Sequence, residues 1–374
     1  MAFSHLRWAF VYQRPQHLLS RAARTRRVFY VEEPRPAAAH PCIETTRDPS
    51  GVTIVTPHVA HDAGQVELRA LLDFFLSAQK LDHYVAWYYT PMALHFTAHL
   101  RPAATVYDCM DELSAFAGAP PALKEAELAL LARADLVLTG GHSLYLAKRA
   151  LHPNVHEFPS SVDVPHFATA RHPTPEPADQ AGIPHPRIGF FGVIDERLDR
   201  ELLAASARRC PGWHFVMIGP TAKIDRATLP VEPNIHYLGG KSYGELPAYI
   251  AGWDVAMMPF ARNEATRFIS PTKTPEYLAA GKPVVSTSIA DVVRPYGDER
   301  LARIADTPDD FVAAIREALC DRPADWLPRA DAFLASNSWD LTWSRIDEQL
   351  HAVPMRQRTI DRPAALVAAP RLNV

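Results

Sequence analysis

Cysteine is scarce in this chain of 374 residues, and the four present, Cys42, Cys109, Cys210 and Cys320, stand far apart. No Cys-x-x-Cys pair occurs, so neither a zinc site nor a disulfide framework is suggested, and a reducing cytoplasm is the expected compartment. No run approaches the roughly 18 apolar residues of a membrane-spanning helix. An excess of basic charge is also missing: the formal net charge is −3, which argues against nucleic acid as the default partner. No Gly-x-Gly-x-x-Gly follows an apolar strand, which speaks against a dehydrogenase. No Asp-x-Asp occurs, so a metal-chelating diphosphate site of that kind has no support.

What is present is a chain 48% apolar and 22% charged, the composition of a globular protein and long enough for two domains. Short apolar runs alternate with amphipathic helical patterns. Val28–Val31, Val52–Val55, Tyr84–Tyr88, Thr105–Tyr107 and Leu136–Thr139 read as strands, with helical patterns such as Gln65–Gln79 and Ala122–Arg133 between them. Runs apolar on both sides of the pleat imply parallel sheets covered by helices. Residues 168–187, rich in Pro, Ala and His, read as a linker. The alternation then resumes at Ile188–Gly192, His214–Gly219, Ile235–Leu238, Asp254–Met258 and Pro283–Ser286. The expectation is an α/β protein of two doubly wound, Rossmann-like domains facing a cleft: residues 1–167, then the linker, then residues 188–338. Residues 339–374 would supply a helix crossing back to the first domain and a Pro- and Ala-rich tail. Met1 to Leu6 reads as the second half of a buried strand, which raises the expectation of a late start codon or a clipped first strand.

Ligands of such sheets bind at the carboxyl ends of the strands, so the loops there supply the candidates. In Ser270-Pro271-Thr272-Lys273-Thr274-Pro275-Glu276 two helix starts compete. Ser270 could cap with Pro271 at the first helical position; the alternative, a Thr274 cap with Pro275 first, avoids a proline clash and is favoured. The Ser270–Lys273 turn would then present free N–H groups and Lys273 to an anion; ordinary capping, with Glu276 complementing the helix dipole, explains the same residues. Glu264 lies in a polar loop after a strand. Gly192 allows close backbone approach, and Arg197 could neutralise a diphosphate or simply pair with Asp195, Asp199 or Glu201. The acids of Asp108-Cys109-Met110-Asp111-Glu112 could bind sugar hydroxyls or act as a base, or Asp111 could simply cap a helix. Gln13, Arg14 and His17 open a stretch with five arginines and no acid between Arg14 and Arg27, either an anionic-lipid or phosphate surface or a solvated helix face. The pairs His58/His61 with Asp62, and His95/His99, have metal-like spacing but no third ligand.

Taken together, Phe10–Leu18, Val106–Glu112 and Ser270–Val285 resemble a GT-B-fold glycosyltransferase, similar to the family-four retaining enzymes and to bacterial "glycosyltransferase family 1" proteins of surface polysaccharide synthesis. Ser160-Ser161-Val162-Asp163 with Phe167 resembles the segment that ends their first domain. The resemblance implies a nucleotide diphosphate sugar donor, UDP- or GDP-linked, with no further cofactor and no metal, and a glycan or lipid-linked acceptor. It implies that Glu276 holds the ribose and that Lys273, Arg197 and the Ser270, Pro271 and Thr272 turn stabilise the leaving diphosphate. Gly192 and Glu264 would complete the donor side. Asp111 would face the sugar, and Gln13, Arg14 and His17 the acceptor. Through the Arg14–Arg27 patch the protein would touch the inner face of the membrane. Departures weaken the catalytic assignment: the family's frequent second glutamate, eight positions before Glu276, is Phe268, its Gly-Arg is Gly192-Val193, and its Gly-Gly loop is replaced by Gln13–His17. A GT-B-fold nucleotide-sugar epimerase and a nucleotide-sugar-binding protein without catalysis are the rival readings.

Overall fold

The computed structural model describes residues 1–37, 40–60, 65–320, 323–356 and 372–373. It contains two sheets. The strands of the first are β1 (Ala2–Phe3), β2 (Phe29–Val31), β3 (Arg35–Pro36), β4 (Cys42–Arg47), β5 (Thr53–Val59), β6 (Val85–Tyr88), β7 (Ala104–Cys109), β8 (Leu136–Thr139) and β9 (Val155–Glu157). Those of the second are β10 (Arg187–Phe191), β11 (His214–Ile218), β12 (Ile235–Gly239), β13 (Val255–Met258), β14 (Val284–Ser286) and β15 (Ala302–Ile304). The first is ordered β4-β5-β2-β1-β6-β7-β8-β9, with β3 beside β5 and a short β16 (Leu372–Asn373) on the outer edge of β4; the second is ordered β12-β11-β10-β13-β14-β15. Every pairing is parallel except β4 with β5.

Parallel strands need covered faces, and the sequence supplies them. β8, β10 and β13 are buried along their whole length. The helix Gln65–Ala78 buries Leu68, Leu71, Leu72 and Phe75, the i, i+3, i+4, i+7 stripe of a helix laid on a sheet. The first sheet has a core on each face, one around Trp87, Val106 and Leu138, the other around Phe3, Tyr88 and Val137. The second sheet sits in one large core around Phe190, Val216 and Met257.

Both sheets reverse direction at an inner strand. From β1 the chain steps to β2 on one side and later to β6 on the other; from β10 it steps to β11 and later to β13. The crevices beside the carboxyl ends of β1 and β10 are therefore the places where each sheet can seat a ligand.

Two stretches differ from the sequence-based expectation. Residues 168–187 are docked rather than loose. Arg171 donates to Ala279 O at 2.6 Å and pairs with Asp331 at 2.7 Å. Gln180, fully buried, accepts from Trp253 Nε1 at 3.0 Å and donates to Tyr249 O at 2.9 Å. The arginine run is not an open patch either. The helix Trp339–Ala352 packs Trp339, Ile346 and Leu350 against Leu18, Leu19 and Ala22. Its Asp340 takes both Arg21 and Arg24 at 2.8 Å, and its Asp347 takes Arg26 at 2.6 Å. Arg27 donates to Gln79 O at 3.2 Å, and Arg14 is buried against Asp108. The acids missing from the local sequence arrive from a helix more than 300 positions away.

Candidate active site between the two sheets

The helix that begins in this polar stretch runs Lys273–Ala279 with Thr272 at its cap, two residues earlier than a Thr274 cap would give. Pro275 is tolerated because it occupies the third helical position, where a backbone N–H has no intrahelical acceptor in any case. Thr272 already has helical dihedrals, φ −60° and ψ −22°, and the first helical bond runs from Glu276 N to Thr272 O at 3.3 Å.

This geometry brings Lys273 and Glu276 together. Lys273 Nζ donates to Thr272 Oγ1 at 2.7 Å, lies 4.9 Å from the Phe191 ring centroid, and stands 3.6 Å from Glu276 Oε2, an ion-pair distance beyond hydrogen-bond reach. Glu276 is buried, and its Oε2 has no hydrogen-bond partner. Burial pushes its pKa up, and the Lys273 charge only partly offsets that. The Tyr243 hydroxyl, also buried without a partner, is pushed far up by burial and by the neighbouring Glu276 charge.

Gly192 ends β10 at φ +148°, a backbone conformation that side chains rarely tolerate. A Cβ there would meet Lys273 Cε at 3.3 Å, so its absence leaves room for the lysine to cross the strand end. Arg197 follows. It grips Asp195 with Nε at 2.9 Å and Nη2 at 2.7 Å, so the pairing that its sequence neighbours offered does form. Its guanidinium nevertheless lines the cleft and lies 5.6 Å from the Phe116 ring of the first domain.

Across the cleft stands Asp111. Burial raises its pKa to about 6; Arg197 opposes that rise, Asp195 adds to it, and Lys223 and Arg14 oppose it more weakly. Beneath lies the pair Arg14–Asp108, with Arg14 3% and Asp108 0% exposed and 2.9 Å between Nε and Oδ1. Arg14 Nη1 also donates to Phe158 O at 2.7 Å, while Nη2 has no partner. Together Gln13, Arg14, Asp111, Gly192, Arg197 and the Ser270–Lys273 turn border a cavity of about 130 Å³.

The domains touch around it. Ser160 Oγ donates to Ser270 O at 3.0 Å, Ser143 N to Asp291 Oδ1 at 3.0 Å, and Ala117 N to Glu196 Oε1 at 2.9 Å. A Cβ on Gly141 would fall 2.1 Å from Asp291 Oδ2 and 2.6 Å from Ser270 Cβ, so only glycine permits this approach.

Three expected site residues, Glu264, His17 and Glu276, are not among those that border this cavity; Glu276 stands one helical turn behind Lys273, at the 3.6 Å ion-pair distance. Glu264 is 75% exposed and pairs loosely with Arg267 at 3.6 Å; its loop turns outward through a short helical turn, Glu264–Thr266. Phe268, at the position where the resemblance leads one to expect a second glutamate, packs against the first domain's apolar core. His17 is buried, stacked on Trp339 at 4.5 Å and 8°. Burial, and then the Arg21 charge, push its pKa well down, and its ring also lies 5.6 Å from that of Tyr243 in the second domain. The histidine pairs do not converge on a metal. His58 bonds Glu44 at 3.0 Å and His99 bonds Asp73 at 2.9 Å, while His61 and Asp62 lie outside the described residues. Among the described residues no three His, Cys, Asp or Glu side chains gather in metal-binding geometry, and no helix is long and apolar enough to cross a membrane.

Sequence reasoning missed Tyr243, Lys223 and His5. Each follows the carboxyl end of a strand, β12, β11 and β1 respectively. Applying the strand-end rule to every strand, rather than to those with eye-catching polar loops, would have found them.

Comparison with known proteins adds to this geometry. The model of the family described as "Glycosyl transferases group 1" matches residues 185–321. The proposed teichuronic acid biosynthesis glycosyltransferase TuaH of Bacillus subtilis (strain 168) is 31% identical over 209 residues, 53% of this chain and 51% of that protein. This chain therefore spans about half the length of the curated relative it matches. Among solved structures, a sucrose-phosphate synthase from Thermosynechococcus elongatus superposes with a TM-score of 0.72 at 12% identity, covering 94% of this chain and 98% of that one. The Anabaena protein HepE, solved in complex with UDP and glucose, superposes at 0.67 and 15%, covering 94% and 98%. The fold is GT-B, two parallel-sheet α/β domains facing a cleft.

Proposed function

We propose that this GT-B-fold chain, whose second domain is a glycosyl transferases group 1 domain, transfers a hexose from a nucleotide diphosphate sugar to a polysaccharide or glycolipid precursor. The observation that carries the reading is the buried Glu276 carboxylate, with an oxygen left without a partner beside Lys273. Leaving such a group unsatisfied costs about 1–3 kcal/mol. A ribose diol offers the missing donors, and a diphosphate alongside would meet Lys273 and the free N–H groups of the turn Ser270–Thr272. TuaH, by its name a glycosyltransferase of teichuronic acid synthesis, supports a surface polysaccharide as the acceptor class.

The chemistry asked of these residues is electrostatic. As the sugar–phosphate bond breaks, negative charge grows on the leaving diphosphate. Lys273, Arg197 and the helix start are fixed in advance around that position, which is where preorganised donors lower a barrier most. Asp111 faces the same point from the first domain. We infer retention, with the leaving phosphate taking the acceptor proton, and no metal requirement; Asp111 acting as a base, and so inversion, is the outcome that the product's anomeric configuration would reveal. A seat at the inner face of the cell membrane follows from a lipid-linked acceptor; the paired arginines 14–27 lend it no support.

The test begins with a thermal-shift panel of nucleotides and nucleotide sugars. A donor at 100 times its Kd stabilises the folded chain by about 2.7 kcal/mol, a melting rise of several degrees. Product anomeric configuration by NMR, with and without EDTA, then reads retention and metal need. No response to any UDP- or GDP-linked compound would remove the reading, and conversion of the donor sugar without an acceptor would replace it with epimerisation.

A further inference from the structure

The first domain reverses its winding at β1, so its switch-point crevice lies beside that strand's carboxyl end, and the second residue past that end is His5. The strand's ladder continues one step, Ser4 N to Val31 O at 3.0 Å. The chain then bends sharply, with Leu6 N donating to Ser4 Oγ at 3.0 Å, and the bend is fixed by Tyr30 OH donating to Leu6 O at 2.9 Å. His5 sits at the apex of this rigid bend. Its Nδ1 is buried with no hydrogen-bond partner.

The charge of the second domain that acts on it is Lys223, in the turn after β11, at φ +60°. The lysine is held over the cleft by the first domain's Phe116, whose ring centroid lies 4.8 Å from Nζ. Burial, and then the Lys223 charge, push the His5 pKa down to about 4, so the ring is neutral at physiological pH. The same ammonium acts on Asp111. Three strand ends, those of β1, β7 and β11, thus set a neutral imidazole, a carboxyl group and an ammonium about one part of the cleft.

We propose that His5 is an acceptor-positioning residue: its unpartnered Nδ1 forms a hydrogen bond with a hydroxyl of the acceptor sugar, at the first domain's switch point. A hydroxyl suits this place because it can donate to or accept from a neutral ring. An anion is less suited, since the ring carries no charge and Asp111 stands across from it. The inference rests on the transferase reading and extends it to the acceptor side. His5 is not asked to touch the donor or to carry a proton.

The experiment separates the two sides. The full chain and its His5→Ala, His5→Asn and His5→Gln variants are assayed with the nucleotide sugar that raises the melting temperature most. Transfer to a set of methyl glycosides of glucose, galactose, N-acetylglucosamine and glucuronic acid is measured beside hydrolysis of the donor by water. An asparagine amide places a polar atom two bonds from Cβ, as Nδ1 is, whereas glutamine places it one bond further out. The expected result is an acceptor kcat/KM at least tenfold lower in His5→Ala, recovery in His5→Asn and not in His5→Gln, and unchanged hydrolysis and nucleotide-induced stabilisation throughout. Transfer by His5→Ala at the wild-type rate would overturn the inference. So would loss of transfer, hydrolysis and nucleotide response together, which marks a structural residue. Should His5→Ala not fold, the contrast between asparagine and glutamine decides in its place. A wild-type chain that neither transfers nor hydrolyses would instead sink the transferase reading, and the His5 role with it.

Discussion

Two charge clusters that look equally suggestive in the sequence end in opposite states. The arginines from Arg14 to Arg27 have no acid among them, yet each finds a partner in the fold, Asp108, Asp340, Asp347 or a backbone carbonyl, with single nitrogens of Arg14, Arg21 and Arg26 left over. Lys273 and Glu276 come with a ready-made i,i+3 pairing, yet stand 3.6 Å apart with Glu276 Oε2 unsatisfied. Folding selects for satisfied polar groups. We read charges paired by distant residues as architecture, and the Lys273–Glu276 pair, held beyond hydrogen-bond reach beside the cleft, as the ligand site proposed above. The predictions below press on that distinction.

The largest effect is expected where completion is deepest. Replacing Arg14 with methionine leaves Asp108 buried without its cation, and breaking one half of a buried pair costs about 3–5 kcal/mol. Trp87 and Tyr89 turn their polar atoms toward Asp108 without forming good hydrogen bonds and cannot take over. The double variant Arg14→Met with Asp108→Leu should recover most of the loss, because no charge is then stranded. Urea unfolding of the three proteins measures this. A single variant as stable as the wild type would mean that the pair is solvated and not the architectural element described here.

At the incomplete cluster the order of effects reverses. Glu276→Ala should reduce transfer by at least 100-fold, about 2.7 kcal/mol of transition-state stabilisation, while leaving stability unchanged or raised. The sign follows from the pKa. Burial raises it in the folded chain, so the folded state binds its proton more tightly than the unfolded one, and the residue's contribution to stability falls as pH rises from the ordinary carboxylate range through the raised value. Above that range removing the carboxylate relieves a cost. Transfer kinetics together with melting curves at pH 7 and 8 test both halves. Full activity, or a clear loss of stability, would show Glu276 to be part of the scaffold.

The same contrast explains what was legible in the sequence. Alternating apolar runs and helical periods disclosed the two α/β domains, because burial on both faces of a parallel strand writes itself into consecutive residues such as Leu136–Thr139. The Ser270–Glu276 turn was legible for the same local reason, though the cap fell at Thr272 rather than Thr274. Partners distant in sequence were not. Nothing near Arg21 announces Asp340, nothing near Gly141 announces Asp291, and the docked state of residues 168–187 depends on Asp331 and Trp253. Glu264 failed for a related reason: proximity in sequence to the site says nothing about which way a loop turns. Whether a charge is free is a property of the assembled fold.

The smallest effect belongs to the exposed edge of the completed cluster. Asp340 is 60% exposed, and Arg24 beside it 64%, so solvent and salt screen that bridge, and Arg21, though buried, keeps its bond to His17 O; Asp340→Ala should cost about 1 kcal/mol. Hydrogen bonding from Arg21 leads the interactions that lower the Asp340 pKa below its ordinary value of 3.8. Its contribution is therefore present above that pH and lost as pH falls through the lowered value, so the two proteins should converge in stability in acid. The sharper readout is electrostatic. Removing Asp340 frees the exposed Arg24 and unmasks the positive charge of Arg21 beneath it, and the variant should float with vesicles rich in anionic lipid more than the wild type does, with the gain abolished by salt as the Debye length shrinks below about 10 Å. Equal flotation of wild type and variant would mean that pairing does not hide these arginines, and that the rule separating completed from incomplete clusters fails at the protein surface, where a partner screens a charge without withdrawing it from a second one.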